Sequence, residues 1–421
     1  VSRYKFYTTN RMGETILASD TTDVGIPIYS ATQDDSIFGY IQNPKVILKK
    51  GDIVIPARGN SIGYATQIKD EIATCSQTTI CSTNIHGINS RFLFYCIYGL
   101  KDDWFRYDGS AIPQITVDQV KNNVLPLPSK QEQHSIASFL DTKCGEIDSL
   151  ISLQEEMISE LQAYKQSVIT EAVTKGLDPN AKMNCCASRE KNDACISSSE
   201  TQPAIERKFK DSGVEWIGEI PEGWKVSPLK YIIKGHLQYG ANESGVLYEE
   251  GLPRYVRITD ILDNKLREDI QKQSLTEQQA EGFILKNNDI LFARSGGTVG
   301  KSFIYKSEYG RCAFAGYLIK ASINDDNDAE FVYFFTQSSA YDEWKRRIFI
   351  QATIQNIGAD KYSQLEIPLP FKEMQTKIVS FLKDKTSQID SLISLKQQKI
   401  DELKSYKKSI IYEYVTGKKR V

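Results

Sequence analysis

LPLPSKQEQHSIASFLDTKCGEIDSLISLQEEMISELQAYKQSVITEAVT, residues 125–174, returns as IPLPFKEMQTKIVSFLKDKTSQIDSLISLKQQKIDELKSYKKSIIYEYVT, residues 367–416. The offset is constant at 242 residues (367 − 125), about half the positions are identical, and no gap is needed. In the second copy, apolar residues fall at Leu382, Ile389, Ile393, Ile400, Leu403, Ile410 and Tyr414, with Thr386, Lys396 and Lys407 as polar interruptions. The first copy places Leu140, Ile147, Ile151, Ile158, Leu161, Val168 and Ala172 on the same seam, interrupted by Cys144, Gln154 and Lys165. A 3.5-residue spacing held for this long marks a coiled-coil helix. The residue before Pro avoids the helical region, so LPLP and IPLP predict an extended lead into each helix. Ser129 followed by Glu132 predicts a capping box at the first helix start.

Each helix should run about 45 residues, roughly 65 Å. A lone helix of that length leaves its seam in water, and the nearest partner is the other copy. Charge agrees. Residues 125–178 carry 4 Lys+Arg against 9 Asp+Glu, whereas residues 367–421 carry 12 against 6. Matching seams of opposite net charge favour pairing one copy with the other. An antiparallel pair is expected, with the preceding domains at opposite ends about a pseudo-two-fold axis.

Working outward, the chain divides into residues 1–124, helix 125–178, a connector at 179–210, residues 211–366, and helix 367–421. The connector is rich in Asn, Ser, Ala and Cys and reads as a flexible linker. The two long domains share markers. Each has a Pro-Xaa-Tyr strand start (Pro27-Ile28-Tyr29; Pro253-Arg254-Tyr255). Each has Asp, a short apolar strand and a Gly turn (DIVIPARGNSIG, 52–63; DILFARSGGTVG, 289–300). Each then has an aromatic helix and a polar turn (GSAIPQI, 109–115; QATIQNI, 351–357). Short β-branched runs broken by Gly beside such helices predict mixed α/β domains, and an α+β chain overall.

The net charge of −2 over 421 residues singles out no anionic partner, and no apolar run reaches the roughly 18 residues of a membrane span. Eight scattered cysteines without a CxxC pair predict neither a disulfide framework nor a zinc site, and suit a reducing cytoplasm. Cys185-Cys186 has no second pair or nearby His. His86, His134 and His236 lie far apart and read as surface or core residues. Ser295–Ser302, SGGTVGKS, approaches the phosphate-binding G-x-x-x-x-G-K-[ST] loop. It begins with Ser295 instead of Gly, and a further strand-like run follows where that loop needs a helix. A polar loop facing nucleic acid suits it better than nucleotide binding. No catalytic motif is found.

The pattern resembles one family: the specificity (S) subunits of type I DNA restriction–modification enzymes. The residues that carry the likeness are KDSGVEWIGEIPEGWKVSPLKYI (210–232), LPRYVRITDI (252–261), DILFARSGGTVGKS (289–302) and the two repeated helices. The resemblance implies two target recognition domains, each reading one half of a split, asymmetric double-stranded DNA site. It implies that the paired helices set the gap and dock two methyltransferase (M) subunits, joined by restriction (R) subunits. It implies no cofactor in this chain; S-adenosylmethionine, ATP and Mg would belong to those partners, with adenine methylation and ATP-driven cleavage. A specificity subunit of another multisubunit methylation system is the alternative. Aligning VSRYKFY with VSPLKYI sets Val1 opposite Val226, so the first domain has no counterpart of WIGEIPEGW and no initiator Met. Truncation, processing or a disordered start are the expected explanations.

Arg suits guanine and Asn or Gln suits adenine in the major groove. Candidate base-reading residues are therefore Arg58, Asn60, Ser61 and Gln114 in the first domain. In the second they are Arg294, Ser295, Thr298, Lys301, Gln355 and Asn356. Neither domain is net basic, and Lys345-Arg346-Arg347 is the expected phosphate-contacting cluster.

Overall fold

The computed structural model describes residues 1–32, 36–85, 87–105, 113–177, 208–262, 264–350 and 356–421. It divides into two compact units, Val1–Met157 with Leu395–Val421, and Ile158–Ser394. Each unit thus joins one head to the first or last half of both long helices.

The helices form where the seam predicts, at Lys130–Lys175 and Lys372–Val415. The capping box is present: the Glu132 N–H donates to Ser129 Oγ at 3.3 Å, and the Ser129 N–H donates to Glu132 Oε2 at 2.9 Å. Leu140, Ile147, Leu382, Ile389, Ile400 and Ile410 are buried, while Ile151, Ile158, Leu161, Val168, Ile393 and Leu403 are half-buried. Four of the six polar interruptions make interhelical contacts, whereas the Thr386 hydroxyl bonds the Lys383 carbonyl of its own helix. In the first unit Lys407 bonds Asp148 at 2.7 Å, and Lys396 Nζ donates to Gln154 Oε1 at 3.4 Å. In the second, Lys165 bonds Asp390 at 2.7 Å. Residue numbers rise on one helix as they fall on the other, so the pairing is antiparallel. Asp148 and Asp390 are repeat equivalents, as are Lys165 and Lys407, so the same contact is made once in each unit.

In the first unit, the antiparallel sheet has the order Thr8–Met12, Thr79–Asn84, Ile53–Pro56, Thr66–Gln67. A second sheet has the order Ile37–Ile41, Ile26–Tyr29, Ile72–Cys75, Leu48–Lys49, with its central pair parallel. The second unit repeats the scheme. One sheet runs Gln238–Tyr239, Leu318–Ala321, Ile290–Ala293, Ser302–Ile304. The other contains the parallel pair Arg254–Val256 and Cys312–Phe314. The aromatic helices are Ser90–Trp104 in the first head and Ala329–Phe335 with Ser339–Ile350 in the second.

Each head packs on both long helices. Phe92, Tyr95 and Ile97 share a core with Leu140, Ile147, Ile410 and Ile411. Gly99 permits this approach, since a Cβ there would stand 2.9 Å from Ile411 Cγ2. In the second unit Phe331, Trp344 and Tyr362 share a core with Ile169, Val173, Ile378 and Leu382. Ser2–Arg3 pairs with Val124–Leu125, and Lys225–Pro228 pairs with Glu366–Leu369. Ser2 faces Leu125 and Ser227 faces Ile367, so the alignment of Val1 with Val226 is structural.

One expectation needs correction. The linker was read to residue 210, but Phe209–Asp211 is already a strand, paired with Glu219–Pro221. This hairpin brings Val214, Ile217, Ile220 and Trp224 into the second core, which gives the opening segment an apolar anchor. Of the cysteines, Cys75 and Cys81 are paired, and the described residues hold no wider disulfide framework. The Thr79 N–H bonds the Ser76 carbonyl at 3.0 Å, and this turn folds the two buried cysteines together. Cys96, Cys144 and Cys312 are free and buried. Cys185, Cys186, Cys195 and His86 lie outside the described residues.

Candidate nucleic-acid interface

In each head a buried four-residue strand, Ile53–Pro56 or Ile290–Ala293, runs straight into the glycine loop. The two loops share their closing bonds. Gly63 N–H donates to the Pro56 carbonyl at 3.3 Å, and Gly300 N–H to the Ala293 carbonyl at 2.9 Å. Tyr64 N–H bonds Ser61, and Lys301 N–H bonds Thr298, at 3.1 and 3.0 Å. Gly59 and Gly63 have φ of 73° and 77°, and Gly296 and Gly300 have 79° and 81°. This left-handed backbone favours glycine. The Gly-x₃-Gly spacing therefore closes a loop in both heads. A strand, Ser302–Ile304, follows in the second, so the helix N-terminus that a phosphate-binding loop needs is not there.

A distant segment meets each loop. Arg58 bridges Gln114, and Ser295 bridges Asn356. The Ile115 N–H donates to the Ala57 carbonyl, and the Ile357 N–H to the Arg294 carbonyl, both at 2.9 Å. Candidates 56 and 61 residues apart (114 − 58; 356 − 295) thus share one site in each head. Arg58, Asn60, Gln114, Lys301 and Asn356 are exposed, and Ser61, Arg294, Ser295 and Thr298 are half-buried. Gln355 lies outside the described residues.

The frame is shared but its side chains are not. Arg294 stands where the first head has Ala57, Ser295 where it has Arg58, Thr298 where it has Ser61, and Lys301 where it has Tyr64. Arg294 is braced. Its guanidinium lies 5.0 Å from the Tyr239 ring centroid, and its N–H donates to the Tyr317 carbonyl at 3.1 Å. The Tyr239 hydroxyl accepts from the Ala359 N–H at 3.0 Å. Arg294 Nε is buried with no hydrogen-bond partner among the described residues. Below the loop, the Tyr341 hydroxyl donates to the Gly300 carbonyl at 2.8 Å and the Tyr362 hydroxyl to the Ala293 carbonyl at 3.0 Å. Burial pushes both phenols well above their usual range, so they remain neutral donors. Among the described residues no group of three or more His, Cys, Asp or Glu side chains is placed to hold a metal. None of the described helices is long and apolar enough to cross a membrane.

The chain that carries these polar loops and paired helices matches one family. Its model, the type I restriction modification DNA specificity domain, matches residues 7–163 and 221–405. The chain belongs to this family. As a type I specificity chain it is 24% identical over 365 residues to the type I restriction enzyme MjaVIII specificity subunit of Methanocaldococcus jannaschii, covering 83% of this chain and 75% of that one. It is 25% identical over 211 residues to the type I restriction enzyme EcoBI specificity subunit of Escherichia coli, covering 48% of this chain and 39% of that one. A solved structure concerned with complex assembly and conformational transition of the type I R-M system shares the fold. Its TM-score is 0.65 at 15% identity, over 97% of both chains.

Within this specificity chain the basic cluster is not free. Lys345 bonds Asp342 at 2.7 Å, Arg346 pairs with Glu343, and Arg347 bonds Glu343 at 3.1 Å and Glu215 at 2.8 Å. The Lys345 stem instead packs against Gly300, where a Cβ would stand 2.4 Å from its Cδ. Tyr239 and Tyr317, both exposed beside Arg294, were missed by sequence reasoning. Tyr239 lies 55 residues before Arg294 (294 − 239), and nothing local marks it as a neighbour.

Proposed function

We propose that each head of this type I specificity chain reads one half of a bipartite, asymmetric site in double-stranded DNA. The observation that carries this reading is the shared loop frame bearing different side chains. A fixed backbone keeps the approach to DNA, while exchanged side chains change the base edges read. Arg58, Asn60, Ser61 and Gln114 serve one half-site; Arg294, Ser295, Thr298, Lys301 and Asn356 serve the other, with Gln355 as a further candidate. The sequence segments 1–124 and 211–366 are the recognition domains, and the helices of 125–178 and 367–421 set the gap between half-sites.

The outer faces of the helices support two equivalent protein contacts. Leu150, Leu153 and Tyr164 are exposed on the first, and their repeat equivalents Leu392, Leu395 and Tyr406 on the second. Exposed apolar groups repeated in register suit two copies of one partner. On this reading they dock two M subunits, with R subunits joining. Adenine methylation and ATP-dependent cleavage then reside in those partners, together with S-adenosylmethionine, ATP and Mg, and the assembly works in the cytoplasm.

The test is selection of bound duplexes from a random pool by the M-bound chain. The unmodified chain should return two fixed half-sites. Arg294→Ala with Asn356→Ala should make one half degenerate, each lost base contact costing about 1–3 kcal/mol of discrimination. Arg58→Ala with Gln114→Ala should do so in the other half alone. If either double variant degrades both halves or neither, the assignment is wrong.

A further inference from the structure

The cluster expected to hold phosphate, Lys345–Arg347, is matched cation for carboxylate. A different set of cations is held in the opposite manner, and it is held twice. Lys5 Nζ donates to Asn122 Oδ1 at 3.4 Å and lies 5.6 Å from the Phe6 ring centroid. Lys230 Nζ donates to Gln364 Oε1 at 3.3 Å and lies 5.0 Å from the Tyr231 centroid. These residues are equivalents: the alignment of Val1 with Val226 relates Lys5 to Lys230 and Phe6 to Tyr231, and the helix repeat relates Asn122 to Gln364.

The mounting is equivalent too. Each pair sits on a 3-10 turn, Tyr4–Phe6 or Leu229–Tyr231, whose first side chain is fully buried. The Tyr4 N–H donates to the Asn123 carbonyl at 3.0 Å, and the Leu229 N–H to the Leu365 carbonyl at 2.8 Å. The aromatic rings nevertheless face outward, Phe6 56% and Tyr231 68% exposed. An exposed aromatic ring is thus kept at this position in both heads.

We propose that Lys5 with Phe6 and Asn122, and Lys230 with Tyr231 and Gln364, form one sequence-independent contact with the DNA sugar–phosphate backbone in each head. This rests on the DNA-reading function proposed above. A neutral amide oxygen fixes the ammonium without cancelling its charge, which leaves the full charge for an anion. A carboxylate, as at Lys345–Arg347, would cancel it. The ring beside the ammonium offers an apolar face to a deoxyribose. Charge and repetition together point to the ligand: an uncancelled ammonium calls for an anion, and a feature kept in both heads, where the base-reading side chains differ, suits what both half-sites share, the phosphate backbone. Arg3 Nη1 also donates to Asn122 Oδ1 at 3.2 Å, and Pro228 takes its place in the second head. The first head therefore carries one more cation at this contact.

The experiment measures duplex affinity of the M-bound full chain against salt concentration, for a cognate and an unrelated duplex. Each phosphate contact contributes about 0.9 to the slope of log K against log salt. Lys5→Ala and Lys230→Ala should each lower the slope by about that amount, the double variant by about twice as much. Both duplexes should weaken by the same factor, and Lys→Arg at either position should preserve the slope. Unchanged slopes in fully assembled variants would overturn the proposal. So would loss of M binding in the absence of DNA, which would make these residues a protein contact. If the unmodified assembly bound no duplex, the DNA-reading function itself would fail, a result visible before any variant is made.

Discussion

Arg294 depends on residues far from it in sequence: the Tyr239 ring beneath its guanidinium, the Tyr317 carbonyl on its amide, and Ile357 on its own carbonyl. At this scale the sequence discloses residue types and loop glycines, but not the partners that brace or cancel a charge. Lys345-Arg346-Arg347 reads as a free basic cluster because Glu215, one of its partners, lies 132 residues away. Asp342 and Glu343 were legible, being three or four residues before their cations on one helix. Glu330 shows the same long-range dependence. It is paired with Lys306 and, at 2.6 Å, with Lys383 of the second long helix. Burial alone would raise its pKa, but the two ammonium groups outweigh this and hold it below the usual 4.5. A carboxyl with a lowered folded pKa stabilises fully above its unfolded value, and loses that contribution as pH falls through the folded one. The thermal midpoint of the native chain should therefore exceed that of Glu330→Gln near pH 7, and the gap should close below about pH 4.5. A gap independent of pH would contradict this account of the pair.

The long helices were the most legible elements, since a heptad seam is a local pattern that tertiary context rarely reverses. All fourteen apolar seam positions assigned from spacing are buried or half-buried. The interruptions were legible as gaps but not as contacts. Lys165 and Lys407 read as polar breaks, yet each faces the Asp of the opposite copy. Gln154 and Lys396 are repeat equivalents that meet each other. Pairing two second copies would set Lys396 against itself, which adds to the charge argument for pairing unlike copies. Seam depth predicts a graded cost. Ile400→Ala, at a site 1% exposed, should cost about 2–5 kcal/mol in chemical unfolding, and Ile393→Ala, half-buried, clearly less. Equal losses would show that the seam is not packed as described.

For the molecule as a whole, the repeat gave the plan but not the partition. Sequence divides the chain into heads and helices; the folded chain divides across the helices, near Met157 and Ser394. The reason is packing: the first head buries Phe92 and Ile97 in a core that also holds Ile410 and Val415 of the other copy. Contacts of this kind join residues more than 300 apart, and no local pattern encodes them. On the function proposed above, one chain carries two unlike reading heads and its paired helices set the gap between half-sites. The most direct measurement is the bipartite site selected from random duplexes by the M-bound chain, before and after one heptad is inserted at equivalent points of both helices. Seven residues add about 10 Å of helix, or some three base pairs at about 3.4 Å each. Unchanged half-sites with a gap about three base pairs longer are predicted. An unchanged gap with both half-sites still bound would contradict the account.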